Sequence, residues 1–198
     1  IGWNIAQSCL ACREVFQGQE YRPLLIGFAG TSHRIIVPVS TPLKVVALAG
    51  GIGGARFLKG LRLIENLDIS VIVNNGDDIT MHGLRICPDL DSVIYNLAGE
   101  SDLVRGWGRK DETWVVQAQL AHYLGQEQWF NLGDKDYATH IYRTNLLNAG
   151  VALSEIVKLQ CTKWGIDLNI MPATNDYVET QVQLVQGEPI HFQEWWVK

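Results

Sequence analysis

The sequence predicts an α/β protein with a Rossmann-like, mostly parallel sheet and a helical insertion. Three observations predict it. "KVVALAG" (44–50) is an apolar run that passes straight into glycines, residues 54–66 carry Phe57, Leu58, Leu61 and Ile64 on one side of a helix, and "DISVIVNN" (68–75) is a second buried run. Strand, helix and strand in this order form a parallel unit, because parallel neighbours need a crossover that is usually helical.

The remaining elements follow in order. Pro88 suits the first turn of a helix over 88–98, Asp111 is a cap for one over 112–124, a third covers 135–148, and Ser154 caps a fourth over 154–164. "IDLNIMP" returns to strand, and "YVETQVQLVQGEPIHFQEWWVK" reads as two strands joined by a Gly-Glu-Pro turn, ending on an exposed aromatic pair. Residues 1–43 show only short apolar patches cut by Gly, Pro and Ser, so they read as an extension, separate from a domain over 44–198.

Composition narrows the function. The 198 residues are 47% hydrophobic and 19% charged, enough for one globular domain with a real core. A net charge of −5 argues against bulk binding of nucleic acid, which needs a basic face to neutralise phosphates. No apolar run approaches the roughly 20 residues that span a bilayer, and no signal-peptide pattern opens the chain, so a cytoplasmic setting is expected. The four cysteines, Cys9, Cys12, Cys87 and Cys161, are too few and scattered for a disulfide framework, and the Cys9/Cys12 C-x-x-C has no second pair at zinc spacing. His33, His82, His122 and His191 likewise have no partner at ligand spacing and read as structural or solvated.

Gly50, Gly51, Gly53 and Gly54 remove side chains where a strand turns into a helix, so backbone N–H groups and the positive helix end can face an anion. No Gly-Lys-Ser/Thr follows, and Arg56 stands where the dinucleotide fingerprint needs its third glycine. A tight turn with close helix–strand packing explains the same glycines. "NNGDD" ends the second strand and puts Asp77 and Asp78 near the glycines if the two strands are adjacent. Beside a phosphate, two carboxylates suit Mg²⁺; one could instead hold a ribose hydroxyl, and a solvated turn accounts for both. Asp89 and Asp91 fall in the first turn of the next helix, where acidic residues complement the macrodipole. Arg105, Arg109, Lys110, Asp134, Lys135, Asp136 and His140 cluster around glycines, a pattern that serves either a diphosphate grip or an ordinary surface loop.

Taken together, "AGGIGGARFLKGL", "VNNGDDITMHGLRICPDLDSVIY", "RGWGRKDETW", "WFNLGDKDYATHIYRT" and "PATNDYVETQV" resemble the 2-phospho-L-lactate transferase family, which makes the precursor of the deazaflavin coenzyme F-420. The resemblance covers 44–198. It implies a homodimer, Mg²⁺ dependence, and transfer of a phospholactyl or phosphoenolpyruvyl group. The donor is guanosine diphosphate-linked, the acceptor is the terminal hydroxyl of 7,8-didemethyl-8-hydroxy-5-deazariboflavin, and GMP leaves.

On this resemblance Gly51, Gly53 and Gly54 approach the donor phosphates, and Asp77, Asp78 and Asp91 bind metal or orient the acceptor hydroxyl, Asp91 facing the deazaflavin. Asp91, Asp78 and Arg109 are the catalytic candidates. Lys135 joins Arg109 in stabilising phosphate charge, Asn175 and Asp176 take a guanine-nucleotide or structural role, and Trp107 is the best-placed stacking tryptophan. Asn131 departs from the family, which has a basic residue there, and the family fold is expected to continue past Lys198. The competing reading is a non-catalytic nucleotide-sugar or dinucleotide-binding protein like the gluconeogenesis-factor relatives, whose motif lacks the "HGL…PDLD" continuation.

Overall fold

The computed structural model describes residues 41–125 and 128–198. The extension up to residue 40, with Cys9, Cys12 and His33, lies outside the described residues. The described part is an α/β fold of Rossmann-like type. Strand β1 (Leu43–Ala49), helix α1 (Gly51–Leu61) and strand β2 (Leu67–Val73) form the parallel unit, with Leu43 opposite Leu67 and Ala49 opposite Val73. Strand β5 (Asn169–Pro172) adds to the other side of β2, also parallel, giving the order β1-β2-β5.

Between β2 and β5 lie a hairpin, β3 (Ile79–Met81) and β4 (Leu84–Ile86), and four helices: α2 (Pro88–Ala98), α3 (Val115–Leu124), α4 (Asp134–Asn148) and α5 (Leu153–Lys163). This is the expected helical insertion. A short strand pair, β6 (Gln181–Val182) and β7 (Ile190–His191), and helix α6 (Phe192–Val197) end the chain.

The main core lies on one face of the sheet. Val71, Val73 and Ile170 meet Ala55 and Leu58 of α1, Leu90, Val93 and Ile94 of α2, and Leu153 and Val157 of α5. Each large side chain so buried stabilises the fold by about 1.5–3 kcal/mol. A second cluster of Ile79, Ile86, Leu132 and Tyr137 fastens the hairpin to α4.

The three sheet strands end level. Asn74 N–H donates to the Ala49 carbonyl at 2.9 Å, and Ala173 N–H donates to the Val73 carbonyl at 2.8 Å, so the ladder runs one residue past each strand. The segments after β1, β2 and β5 therefore leave from one edge, where open α/β sheets bind ligands.

Several expected boundaries move. Helix α1 starts at Gly51, not residue 54, so Gly51, Gly53 and Gly54 sit in its first turn; extended Gly50 begins it, its carbonyl accepting from Gly54 N–H at 3.1 Å. The helix stops at Leu61, leaving Ile64 56% exposed and Phe57 54% exposed rather than on a core stripe. Asp111 does not cap α3: it has φ 54°, and the Asp134 carboxylate instead accepts from Val115 N–H at 3.1 Å and Val116 N–H at 2.9 Å.

Asp134's own helix is capped in return, Glu112 accepting from Lys135 N–H at 2.8 Å and Asp136 N–H at 3.1 Å. Gly133 permits this, since a Cβ there would stand 2.2 Å from the Glu112 carboxyl carbon. Ser154 is inside α5 rather than its cap, and its N–H is taken by Asn175 Oδ1 at 2.8 Å.

The β3–β4 hairpin was not expected; it turns on His82 (φ 52°) and Gly83 (φ 74°), both left-handed as a tight two-residue hairpin turn requires. The second C-terminal strand gives way to α6 after His191, whose Nδ1 accepts from Gln193 N–H at 3.0 Å.

Candidate active site

At the sheet edge the glycine turn is closed by an internal carboxylate. Asp89, the second residue of α2, reaches across to α1: Gly51 N–H donates to Asp89 Oδ1 at 2.6 Å. A Cβ at Gly51 would lie 2.9 Å from that oxygen and one at Gly50 3.1 Å from Oδ2, so the glycines make room for an anion at the helix end. Asn74, directly after β2, donates its amide to Asp89 Oδ2 at 2.9 Å and to Asp77 Oδ1 at 3.3 Å, and its own Oδ1 accepts from Gly76 N–H at 3.1 Å. Gln193 of α6 donates to Asp77 Oδ2 at 2.7 Å. Burial, and then the charge of Asp89, push the Asp77 carboxyl up to about 6. Asn75 braces the edge, donating to the Thr174 carbonyl at 3.1 Å and accepting from Thr174 N–H at 3.3 Å.

A second polar cluster lies on the α4 side of α2. Arg143, completely buried, holds both oxygens of Asp91 in a bidentate pair, and its Nη1 also donates to the Arg85 carbonyl at 3.2 Å. The same nitrogen lies 3.3 Å from His140 Nδ1, which is 3.7 Å from Asp91 Oδ2. Burial drops His140 to about 4, leaving it neutral. Burial and the nearby Asp91 charge raise Asp136, one turn earlier on α4, to about 7. The Tyr95 hydroxyl is close enough to oppose that rise, yet stands outside hydrogen-bonding geometry.

Both clusters open into one cavity of about 730 Å³. Gly51, Asn74, Asp77 and Asp89 line one end, Asp91, Tyr95, Asp136 and His140 line another part, and Trp107, Phe130, Phe192 and Trp196 give it aromatic walls. Phe192 and Trp196 are near parallel, 17° apart with centroids at 6.2 Å. Trp107 packs edge-on to Trp114 at 6.0 Å, with the Arg105 guanidinium over both rings at 4.9 and 4.8 Å. A cavity with apolar walls and a few convergent polar groups suits a ring-bearing ligand with a charged end.

The predicted residues divide. Gly51, Asp77 and Asp91 line the cavity, as do Trp107 and Asn131. Gly53 and Gly54 stay within α1; a Cβ on Gly54 would press on Ala49 at 2.9 Å, so Gly54 serves the close helix–strand packing. Asp78 is fully buried against Arg85 at 2.8 Å, its carboxyl pushed up to about 7 by burial although the Cys87 thiol and Arg85 pull it down. Arg109 lies over the Trp164 ring at 4.7 Å and 3.7 Å from Glu100, while Lys135 Nζ donates to the Lys110 carbonyl at 2.8 Å. Asn175 caps α5, and Asp176 pairs with Thr174 in an exposed turn. Arg105 and Lys110 hold their own loop through Asp102 at 2.5 Å and Glu100 at 2.9 Å.

Asp77, Asp78 and Asp91 therefore face three different partners. Among the described residues no three His, Cys, Asp or Glu side chains converge as a cation cage. Two carboxylates do converge, Asp77 and Asp89 on the shared Asn74 amide, and Mg²⁺ commonly takes one or two carboxylates together with water and phosphate. This pair fits Mg²⁺.

Sequence reasoning passed over Asn74, Arg143 and Gln193, and placed Asp89 in the first turn of its helix without giving it a site role. Asp136, His140 and Arg143 follow one another at spacings of four and three, a polar stripe on one helix face that could have flagged the buried cluster. Gln193 carries no such signal.

Comparison with known proteins agrees with the motifs. The model of the family described as 2-phospho-L-lactate transferase CofD matches residues 45–198. Proteins named phosphoenolpyruvate transferase are similar: that of Nocardia farcinica is 49% identical over 173 residues, covering 84% of this chain and 52% of the relative. The Streptomyces griseus protein is 49% identical over 160 residues (79% and 50%), and the Mycobacterium tuberculosis protein 45% over 175 residues (79% and 53%). The chain thus spans about half the length of these relatives. With a family model matched from the first sheet strand to the last residue, the chain belongs to the 2-phospho-L-lactate transferase CofD family.

Proposed function

We propose that the site serves transfer of a phosphoenolpyruvyl or phospholactyl group from a guanosine diphosphate-linked donor to the terminal hydroxyl of 7,8-didemethyl-8-hydroxy-5-deazariboflavin, with GMP as the leaving group. The observation that carries it is one cavity that joins an anion-facing sheet edge to aromatic walls. The sheet edge offers Gly51 N–H and two carboxylates, and Trp107, Phe130, Phe192 and Trp196 wall the same cavity.

The chemistry is attack of an alcohol oxygen on the donor phosphorus. The new O–P bond forms as the bond to the GMP oxygen breaks, and the hydroxyl proton leaves to a base. No covalent enzyme intermediate is needed, so the protein's contribution is alignment and charge neutralisation. In this reading the diphosphate meets the α1 N-terminus and competes with Asp89 for Gly51 N–H. The hydroxyl proton passes to water, because Asp77, the carboxylate beside Asp89 at that end, is taken up by the cation in this reading. Mg²⁺ held by Asp77 and Asp89 would supply positive charge to offset that of the diphosphate. Asn74 orients both carboxylates, and the aromatic walls exclude water from the acceptor ring.

Phosphoenolpyruvyl is the favoured donor group because the similar proteins are named phosphoenolpyruvate transferases. The test is incubation of the chain with deazaflavin, each guanylylated donor and Mg²⁺, following GMP release. GMP formed only with all three components present supports the transfer. Binding of nucleotide sugars without deazaflavin binding or turnover would favour the nucleotide-binding reading instead.

A further inference from the structure

Helix α6 inverts the usual burial pattern. Its polar Gln193 is buried, at 8% exposed, while Trp195, Trp196 and Val197 are 48%, 70% and 48% exposed. A helix held by the hydrophobic effect turns its tryptophans inward, yet no residue of β6, β7 or α6 belongs to either apolar cluster of the described residues. Polar contacts seat this segment instead, and they fall on three consecutive residues. Thr180 N–H donates to the Gly76 carbonyl, Gln193 Nε2 donates to Asp77 Oδ2 at 2.7 Å, and His191 Nε2 lies 2.9 Å from the Asp78 carbonyl. Phe192 N–H donates back to the Thr180 carbonyl at 2.8 Å, which ties β6 to the start of α6.

Of these contacts only the Gln193 bond reaches a carboxylate, and it sorts the two oxygens of Asp77. Gln193 holds Oδ2, whereas Oδ1 has the longer contact from the Asn74 amide at 3.3 Å, and that same nitrogen reaches Asp89 Oδ2 at 2.9 Å. Asp77 Oδ1 and Asp89 Oδ2 are therefore the two carboxylate oxygens that share one donor. The terminal torsion of an Asp side chain is broad, so a carboxylate keeps one oxygen forward only when something holds the other. On the far side of α2, His140 and Arg143 each bury a nitrogen with no hydrogen bond among the described residues; both oxygens of Asp77 have a donor. Hydrogen bonds behind a ligating carboxylate orient it, and losing one costs about 10–100-fold in metal affinity.

We infer that Gln193 is a positioning residue of the cation site proposed above: its amide holds Asp77 Oδ2 and keeps Oδ1 turned toward Asp89, without itself touching the cation or a reacting atom. The inference rests on the reading of Asp77 and Asp89 as the Mg²⁺ pair. It gives the buried glutamine a use that tethering α6 does not require, since the His191 and Phe192 bonds tether that helix already.

Mn²⁺ takes the same octahedral oxygen sites as Mg²⁺ and is followed directly by electron paramagnetic resonance. It is titrated alone into the chain and into its Gln193→Met and Asp77→Asn variants, with urea unfolding of each. Methionine keeps the length of glutamine and lacks the donor. Gln193→Met is expected to weaken Mn²⁺ binding by about tenfold or more at unchanged stoichiometry, with a urea midpoint close to that of the unaltered chain, and Asp77→Asn is expected to weaken binding further. If Gln193→Met does not fold, Gln193→Ala takes its place, since α6 lies outside both apolar clusters. Mn²⁺ affinity unchanged by the glutamine substitution but lowered by Asp77→Asn overturns the positioning role and leaves the carboxylate pair standing. A loss of affinity that comes with a large fall in the urea midpoint overturns it too, because Gln193 then only anchors α6. Absence of Mn²⁺ binding to the unaltered chain, or binding indifferent to Asp77→Asn, removes the cation reading of the pair and this inference with it.

Discussion

The two polar clusters on either side of the α2 N-terminus are built from similar residues and behave differently. At the sheet edge, Asp77 and Asp89 share a single neutral amide, Asn74, and every partner they have is an N–H of an uncharged group. On the α4 side, Asp91 is locked by a fully buried guanidinium, and the unmatched atoms belong to its neighbours. Carboxylates held only by neutral donors can exchange those donors for a cation or phosphate at little cost. A carboxylate inside a buried bidentate pair cannot, because parting it strands two charges away from water. The first cluster is suited to bind and release; the second sets a fixed shape.

The largest expected effect tests that fixed shape. Arg143→Met leaves Asp91 buried without its counter-charge and should cost about 3–5 kcal/mol of stability by urea unfolding. Asp91→Asn should also destabilise, since it strands the guanidinium. A loss below about 1 kcal/mol for either would show that the pair is solvated and would erase the contrast between the clusters.

A smaller effect on the same side comes from Asp136. Its carboxyl sits near 7 in the fold against 3.8 ordinarily, so between these values the unfolded chain has lost a proton that the folded chain keeps. Stability contributed by the neutral form is full below about pH 4 and declines as pH rises through about 7. His140, lowered to about 4, works the opposite way: as pH falls from 6.5 toward 4 the unfolded chain gains a proton that the fold refuses. Comparing the chain with Asp136→Asn at each pH isolates the first slope. The difference in stability between the two should shift against the unaltered chain from pH 5 to pH 8, and a flat difference would mean Asp136 is solvated.

How far the sequence reveals these clusters depends on the range of the interaction. The βαβ unit was legible because its signals are local: "KVVALA" and "DISVIV" are continuous apolar runs, and the glycines mark the junction between strand and helix. Asp77 and Asp91 were legible as acidic residues near a glycine turn. What was not legible is what each acidic residue faces. Asp89 meets Gly51 across 38 residues, Asp91 meets Arg143 across 52, and Asp77 meets Gln193 across 116. Capping misled for the same reason at α3 and α5, which take their cap acceptors from Asp134 and Asn175 rather than from Asp111 and Ser154.

The glycines of α1 give the next test, because they look alike in sequence and differ in surroundings. Gly54→Ala drives a Cβ to 2.9 Å from Ala49 Cβ and 3.1 Å from its Cα, and should cost about 1–3 kcal/mol by overpacking. Gly53 has nothing within 4 Å of a Cβ, so Gly53→Ala should be neutral or stabilise the helix by up to about 1 kcal/mol in thermal unfolding. A Gly53→Ala chain that keeps its stability but loses nucleotide binding would show that Gly53 lets a ligand approach the backbone. Equal stability losses at the two sites would instead dissolve the distinction between a packing glycine and an open one.

A small change in stability is expected at Asp89, and it bears most directly on the sheet-edge cluster. Asp89→Asn keeps an oxygen that can accept from Gly51 N–H; it removes the charge facing the helix end, worth about 0.3–1 kcal/mol at a helix terminus, and the bond that Asn74 donates to Oδ2, and in return relieves the repulsion with Asp77. Binding should change more than stability does. If Asp89 and Asp77 together hold Mg²⁺, removing one charge raises the Mg²⁺ concentration needed for half-maximal GMP release while unfolding is little altered. If instead Asp89 only occupies the α1 N-terminus until a phosphate replaces it, the asparagine competes less well, and nucleotide binds more tightly with no change in Mg²⁺ requirement. The two outcomes have opposite signs in nucleotide affinity, so one titration of the variant at two Mg²⁺ concentrations tells a metal-holding carboxylate from a place-holding one.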